Sequence, residues 1–236
     1  MVETWSALLD LVLPADCPGC GATAGVRTLC AACAAALAGV TPQRVRPEPA
    51  PDGLPRCVAL AAYAGALRGA LIAYKERHRH GLAGPLGDRL ADVVVTATGP
   101  ASGPLLLLPV PATAAAARQR YGDHMRRLAD RAAARLRRRG WPAAVAHPVR
   151  ARPRADSAEL GSAERLRTAA GAFAVVPRQL AAVREAAVRG TRLVIVDDIV
   201  TTGATLAAVA GHLRAAGVEV PSAAVLAATR RRVSTR

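Results

Sequence analysis

The residues most clearly suited to catalysis or ligand binding are two carboxylates at the end of an apolar run. Val194, Ile195 and Val196 directly precede Asp197 and Asp198. Continuous apolar runs of this kind are typical of strands that are buried on both faces of a parallel sheet, and such sheets bind ligands beyond the carboxyl ends of their strands. The pattern therefore predicts a buried strand that brings two carboxylates to a ligand site. An acidic pair accepts hydrogen bonds from sugar hydroxyls and binds Mg²⁺.

A hydroxyl- and glycine-containing loop follows the acidic pair and precedes a helix-forming stretch. The loop comprises Thr201, Thr202, Gly203, Ala204 and Thr205. Its hydroxyl and N–H groups, together with about half a positive charge at the N-terminus of the following helix, can bind a phosphate. The adjacent carboxylates would repel that phosphate unless they face other groups. The residues therefore predict a ligand with a phosphate, a sugar diol and a metal ion.

Four cysteines near the N-terminus form two Cys-x-x-Cys pairs, Cys17 with Cys20 and Cys30 with Cys33. Two such pairs can supply the four sulfur ligands of a tetrahedral structural Zn²⁺ site, which leaves no open position for catalysis. Two disulfides or a redox-active pair are the alternative, although a reducing cytosol favours the metal. The fifth cysteine, Cys57, lies in an apolar run and is predicted to be a small buried hydrophobic residue.

Composition limits the classes of protein that need to be considered. The 236 residues have room for one α/β domain of moderate size and a small appendage. The net charge of +15 attracts polyanions such as nucleic acids and diphosphates. Aromatic residues make up only 3% of the chain, which leaves few platforms for stacking single-stranded bases. No apolar run is long enough for a transmembrane helix, and the N-terminus lacks the basic region of a signal peptide, so we expect a cytoplasmic protein without membrane insertion.

The order of apolar patterns predicts an α/β fold with a mostly parallel sheet flanked by helices. We predict helices over residues 3–13, 31–38, 64–80, 85–98, 125–136, 178–189 and 203–216, and strands over residues 57–63, 105–108, 143–149, 172–176, 191–197 and 218–227. Five prolines within residues 41–56 indicate a linker or surface loop. The domain prediction is a zinc ribbon over 1–40, this proline-rich linker, and the main α/β domain over 57–236.

The acidic strand end and its loop resemble the phosphoribosyl diphosphate (PRPP) motif of the type I phosphoribosyltransferases. Together with the cysteine pairs, the chain resembles the ComF family of phosphoribosyltransferase-like proteins, which is linked to DNA uptake during competence in some bacteria. The resemblance extends over nearly the full length and also includes Tyr63, Leu67, Arg68, Leu71, Ile72, Lys75, Pro109, Val110, Pro111, Arg118, Arg120, Tyr121, Gly122, Asp123, His124 and the segment 150–173.

The resemblance implies roles for individual residues. Asp197 and Asp198 are expected to be the catalytic carboxylates and to hold the ribose hydroxyls, directly or through Mg²⁺, while residues 201–205 hold the 5′-phosphate. Pro109, Val110 and Pro111 are expected beside the diphosphate, whose charge Arg118, Arg120, Arg152 and Arg154 would neutralise. The arginine-rich residues 150–154 would close over the ligand as a lid, or would form only a solvated loop.

Two departures from related sequences concern the acceptor. The carboxylate base that purine-salvage relatives carry at the position of Thr201 is absent, and residues 120–124 differ from the Arg-Gly-Phe-Asn-Gln that ComF proteins often have.

His78, His80 and His124 have no ligand-like spacing and are interpreted as ordinary polar residues.

Two hypotheses about function follow. The first is a Mg²⁺-dependent phosphoribosyltransferase that transfers the phosphoribosyl group from PRPP to an unknown acceptor. The second is a non-catalytic factor that binds single-stranded DNA or the DNA-uptake machinery and uses the PRPP site as a nucleotide sensor. In the second hypothesis the DNA would bind the basic face of the predicted helix 125–136, which the first hypothesis interprets as a solvated face. That face carries Arg126, Arg127, Arg131, Arg135 and Arg138.

Overall fold

A six-stranded sheet forms the centre of the computed structural model, which describes residues 16–22, 28–99, 103–119, 122–152 and 171–229. The predicted helix over residues 3–13 lies outside these ranges. The strands of the sheet are β1 (Gln43–Val45), β2 (Arg56–Ala62), β3 (Leu105–Pro109), β4 (Ala143–Val145), β7 (Arg192–Val200) and β8 (Ser222–Ala228). Their order is β1-β2-β8-β7-β3-β4, with β1 antiparallel to β2 and the other neighbours parallel. A second sheet pairs β5 (Val149–Ala151) with β6 (Phe173–Val175).

Helices cover both faces of the main sheet. They are α1 (Ala31–Ala38), α2 (Gly65–Glu76), a 3₁₀ turn (His80–Leu82), α3 (Ala83–Thr98), α4 (Ala114–Gln119), α5 (His124–Arg138), α6 (Pro177–Val188) and α7 (Ala204–Ala215). Helices α2, α3 and α5 pack with Val194 and Val196 in one buried cluster. Helices α6 and α7 pack with Ile195 in a second cluster, which also contains the buried Cys57. The predicted fold class, a mostly parallel sheet flanked by helices, is thereby confirmed.

Two predicted elements differ from the structure. The strand predicted over residues 143–149 is interrupted, so that β4 and β5 belong to different sheets. Pro148 lies between them and has no N–H group to continue a ladder of hydrogen bonds. The segment predicted as a linker contributes β1, which pairs with β2 at the edge of the main sheet. An edge strand needs hydrogen bonds on one side only, and it therefore tolerates neighbouring prolines.

No helix within the described ranges is long and apolar enough to cross a membrane.

Helices α3 and α5 cross closely at Gly87. A Cβ atom added there would lie 2.5 Å from the Cβ of Arg131 and 3.3 Å from the carbonyl oxygen of Leu128. Because the two helices would have to separate, we expect Gly87→Ala to lower the free energy of unfolding by about 1–3 kcal/mol, as overpacked cores do. Denaturant unfolding measures the change. Gly84→Ala in the same helix is the matched control, since no atom lies within 4 Å of its added Cβ. Equal effects of the two substitutions would contradict the close crossing.

Candidate functional site

The acidic pair lies at the carboxyl end of β7, between β8 and β3. Pro109 at the end of β3 is opposite Val196, and the N–H of Val110 donates to the carbonyl of Val196 at 2.9 Å. The carboxyl ends of parallel strands meet at one edge of a sheet, where α/β proteins bind their ligands. The structure therefore brings the predicted diphosphate segment, residues 109–111, beside Asp197.

The predicted phosphate loop joins β7 to the N-terminus of α7. Gly203 is the N-cap of this helix and has φ +78°, in the left-handed region that favours glycine. The N–H of Ala204 donates to Oγ1 of Thr202 at 3.4 Å. Thr201, Thr202 and Thr205 are exposed, and the first turn of α7 carries no acidic residue. The threonine hydroxyls and the positive end of the helix are thus open to an anion.

The proline-rich segment supports this loop from outside. A Cβ atom added to Gly203 would lie 2.9 Å from Cδ1 of Leu54 and 3.4 Å from Cγ of Pro47. The left-handed backbone conformation therefore favours glycine at this position, and a larger residue would also displace the side chain of Leu54. Residues 41–56, predicted as a linker, contact the candidate phosphate loop as well as the sheet.

The two carboxylates have different environments. Neighbouring residues of a strand point to opposite faces of the sheet. Asp198 is buried, with 5% of its surface exposed, whereas Asp197 is half-buried. Oδ1 of Asp197 accepts a hydrogen bond from the N–H of Asp198 at 2.9 Å. Burial and the nearby negative charge of Asp198 raise the pKa of Asp197 well above its ordinary value.

Asp198 forms a cluster with Lys75 of α2 and His124 of α5. Its Oδ2 lies 2.7 Å from Nζ of Lys75 and 2.9 Å from Nε2 of His124. Burial alone would raise the pKa of Asp198, but its contacts with His124 and Lys75 bring the pKa below its ordinary value. The hydroxyl of Tyr74 donates to the carbonyl of His124 at 2.9 Å, which anchors the start of α5. The cluster therefore stabilises the ionised form of a buried carboxylate.

Sequence reasoning did not assign these partners. The interpretation of His124 as an ordinary polar residue is wrong, since its ring is buried and its Nε2 contacts Asp198. Lys75 entered only as part of a family resemblance. One signal was available: Lys75 is the sole lysine of the chain, although lysine and arginine together number 32.

The structure describes two of the four arginines that are predicted to contact the diphosphate. Arg118 is exposed at the end of α4, and Arg152 is exposed just after β5. Within the described ranges neither side chain contacts the acidic pair. Arg120 and Arg154 lie outside those ranges. The role of all four arginines stays a prediction.

The four cysteines converge on one point. Their Sγ atoms all lie within 4.8 Å of one another, and the Sγ atoms of Cys20 and Cys30 are 3.8 Å apart. A tetrahedral zinc site with Zn–S bonds of about 2.3 Å has sulfur atoms about 3.8 Å apart, so the donor set fits Zn²⁺. All four cysteines, which lie in the described part of the chain, are free thiols. The cluster is therefore positioned to bind a metal ion, as predicted, and zinc fits its sulfur donors.

The surroundings shift the pKa values of two of the thiols in opposite directions. Burial alone would raise the pKa of Cys17, but hydrogen bonds from the N–H groups of Cys30, Gly19 and Cys20 lower it to about 6. Burial and the neighbouring thiols raise the pKa of Cys33 to about 12. A bound cation would stabilise the thiolate form of each ligand and so offset the high pKa of Cys33.

The cysteine cluster packs directly on α2. A Cβ atom added to Gly69 would lie only 1.9 Å from the carbonyl oxygen of Pro18, so the first cysteine pair depends on glycine at this point of the helix. Cys17 belongs to the same buried cluster as the apolar face of α2. The first half of helix α2 thus contacts the cysteine cluster, and its C-terminal end places Lys75 beside Asp198.

Comparison with protein families identifies the carboxyl-terminal part of the chain. Residues 143–235 match the phosphoribosyl transferase domain. The matched region contains β7, the acidic pair, the candidate phosphate loop and α7. Comparison with curated proteins gives no match. The chain therefore carries a phosphoribosyltransferase domain and an N-terminal cysteine cluster, while the narrower assignment to the ComF family stays a prediction.

The main sheet extends beyond the matched residues. Strands β2 and β3 lie next to β8 and β7 in the same sheet, although both precede residue 143. Lys75 and His124 also lie outside the match, on helices α2 and α5. The part of the chain that precedes the matched region therefore supplies two groups that contact Asp198 of the acidic pair.

Proposed function

We propose that this protein is a ComF-like, Mg²⁺-dependent phosphoribosyltransferase that takes PRPP as donor and transfers its phosphoribosyl group to an acceptor not yet identified. One observation carries the proposal. Within the region that matches the phosphoribosyl transferase domain, an exposed threonine loop joins the end of β7, just beyond the acidic pair, to the N-terminus of α7. This arrangement has the chemistry for a sugar phosphate, because it combines donors for a phosphate with acceptors for a diol.

Each part of the donor has a place in this proposal. Residues 201–205 hold the 5′-phosphate, the acidic pair holds the ribose diol, and residues 109–111 lie beside the diphosphate. Mg²⁺ bound with PRPP would neutralise the diphosphate charge. The bond from C1′ to the diphosphate breaks with its electron pair on the leaving oxygen, and a lone pair of the acceptor forms the new bond to C1′. The protein contributes mainly electrostatic stabilisation of the charge that develops.

The test has two stages. Calorimetry with Mg²⁺·PRPP measures binding of the donor, and release of diphosphate is then measured against a panel of bases and amines. We expect saturable binding of PRPP that requires Mg²⁺, and acceptor-dependent release of diphosphate. No binding of Mg²⁺·PRPP by the intact, metal-loaded protein would reject the proposal.

The DNA-binding hypothesis is tested by the same protein preparation. Several arginines on the exposed face of α5 have acidic partners: Arg135 and Arg138 lie 3.9 Å and 3.5 Å from Asp88, and Arg126 lies 4.0 Å from Asp130. These contacts favour a solvated helix face, since the acids reduce its positive potential.

Replacing Arg126, Arg135 and Arg138 with Gln should therefore leave PRPP binding unchanged. Oligonucleotide binding should be weak, with a salt slope that falls by about 0.7 for each lost phosphate contact. Tight DNA binding at physiological salt that this variant abolishes, without any PRPP binding, would favour the DNA-uptake role.

A further inference from the structure

We infer that Lys75 and His124 are positioning residues of the phosphoribosyl site, which hold Oδ2 of Asp198 so that Oδ1 faces the ribose diol. The inference rests on the proposed function, because it concerns how the same site holds PRPP. It adds two residues outside the region that matches the phosphoribosyl transferase domain.

The geometry of the carboxylate is the first argument. In the described part of the chain, Nζ of Lys75 and Nε2 of His124 contact the same oxygen of Asp198, at 2.7 Å and 2.9 Å. The two groups come from different helices, so the carboxylate is held from two directions while β7 fixes its backbone. A carboxyl group with one oxygen held twice cannot turn freely about its terminal bond. Its second oxygen is then presented in one orientation, which is how a supporting residue preorganises a binding site.

The imidazole of His124 supplies a second argument. Its Nδ1 is buried and has no hydrogen-bond partner among the described residues. When Nε2–H donates to Asp198, Nδ1 carries a lone pair, and a buried acceptor without a partner is destabilising. A protein that needed only stability at this position would gain by an apolar side chain. The orientation of the carboxylate gives a reason for histidine, since exceptions of this kind are concentrated at functional sites.

The choice of lysine is the third argument. Lysine and arginine together number 32 in this chain, and all but one are arginine, yet the cation beside Asp198 is that sole lysine. An ammonium is a compact donor that can bond one carboxylate oxygen, whereas a guanidinium favours a two-pronged contact with both oxygens. Arginine at position 75 would therefore cover the oxygen that the ribose needs. Lysine leaves that oxygen available to the ligand.

The experiment measures Mg²⁺·PRPP affinity by calorimetry and stability by thermal unfolding in the same set of variants. Lys75→Met and His124→Leu should each weaken binding about tenfold or more, the effect of losing one good polar interaction. His124→Gln keeps an amide donor near the position of Nε2 and should restore most of the affinity. Arg77→Met, which removes an exposed charge just beyond α2, is the matched control and should bind PRPP as the unaltered protein does.

Lys75→Arg separates positioning from structural support. A two-pronged contact should keep the melting temperature near that of the unaltered protein, while binding of Mg²⁺·PRPP weakens about tenfold or more, because both carboxylate oxygens are occupied. A purely structural ion pair would predict no loss of binding. Unchanged affinity of Lys75→Arg would overturn the assignment of Oδ1 to the ligand.

A double substitution tests whether Lys75 acts through Asp198. If it does, Lys75→Met should weaken PRPP binding little or not at all when Asp198→Asn is already present, because coupled residues are not additive. Full additivity would overturn the inference. If the unaltered protein binds Mg²⁺·PRPP but Lys75→Met and His124→Leu bind it equally well, the inference fails and the proposed function stands. If the unaltered protein does not bind, the proposed function fails, and the inference fails with it.

Discussion

Removal of the metal from the cysteine cluster is expected to destabilise the whole protein and not only its first 40 residues. Cys17 and Cys33 are part of the buried cluster that also contains the apolar face of α2. A structural Zn²⁺ site can contribute about 10 kcal/mol, and each kcal/mol shifts the melting temperature of a domain of this size by about 2–4 °C. Even if half of that free energy is lost, we expect a chelator to lower the melting temperature by about 10 °C or more.

After the chelator has been removed and Mg²⁺ restored, the zinc-depleted protein should show reduced binding of Mg²⁺·PRPP, because α2 links the cysteine cluster to Lys75. Elemental analysis of freshly purified, reduced protein is expected to give about one zinc per chain. Gly69→Ala keeps all four cysteines but forces the Pro18 carbonyl away from α2, so it should reproduce part of the loss of stability. Gly84→Ala is again the matched control. Less than about half an equivalent of zinc, or equal melting with and without chelator, would contradict a structural metal site.

Asp198→Asn is expected to reduce both stability and PRPP affinity. The substitution removes the charge that Lys75 and His124 contact, and the side chain of Lys75 has only 20% of its surface exposed. Removing one partner of a buried ion pair costs about 3 kcal/mol, since the other charge is left without compensation. Loss of a charge-assisted contact to the ribose or its metal should weaken Mg²⁺·PRPP binding by about ten- to a hundredfold.

Urea unfolding and calorimetry measure the two effects separately. Asp130→Asn is the matched control, because Asp130 lies 4.0 Å from Arg126 at the surface and both side chains are more than half exposed. Exposed pairs of this kind contribute little, so neither quantity should change. Unchanged stability of Asp198→Asn would contradict the ionised cluster, and unchanged PRPP affinity would show that the acidic pair is not the ribose site.

The features that were predictable from the sequence are those that depend on neighbouring residues. The apolar run, the acidic pair, the threonine loop and the helix are consecutive, and the structure shows them as β7, the Gly203 turn and α7. The spacing within each cysteine pair likewise predicted the cluster that the structure contains. The alternation of strands and helices was sufficient for the α/β class, because apolar periodicity is a local property of each element.

The groups that contact the acidic pair are brought there by the packing of distant helices on the sheet. His124 precedes Asp198 by 74 residues, and Lys75 lies still earlier on another helix, so no local pattern connects the three side chains. The contact of Leu54 with Gly203 and the close approach of Pro18 to Gly69 are equally distant in the sequence. In a parallel sheet, strands from separate parts of the chain become neighbours, and the helices that cover these strands are brought together with them. The site therefore depends on strand order and helix packing, which bring together residues that the sequence keeps apart.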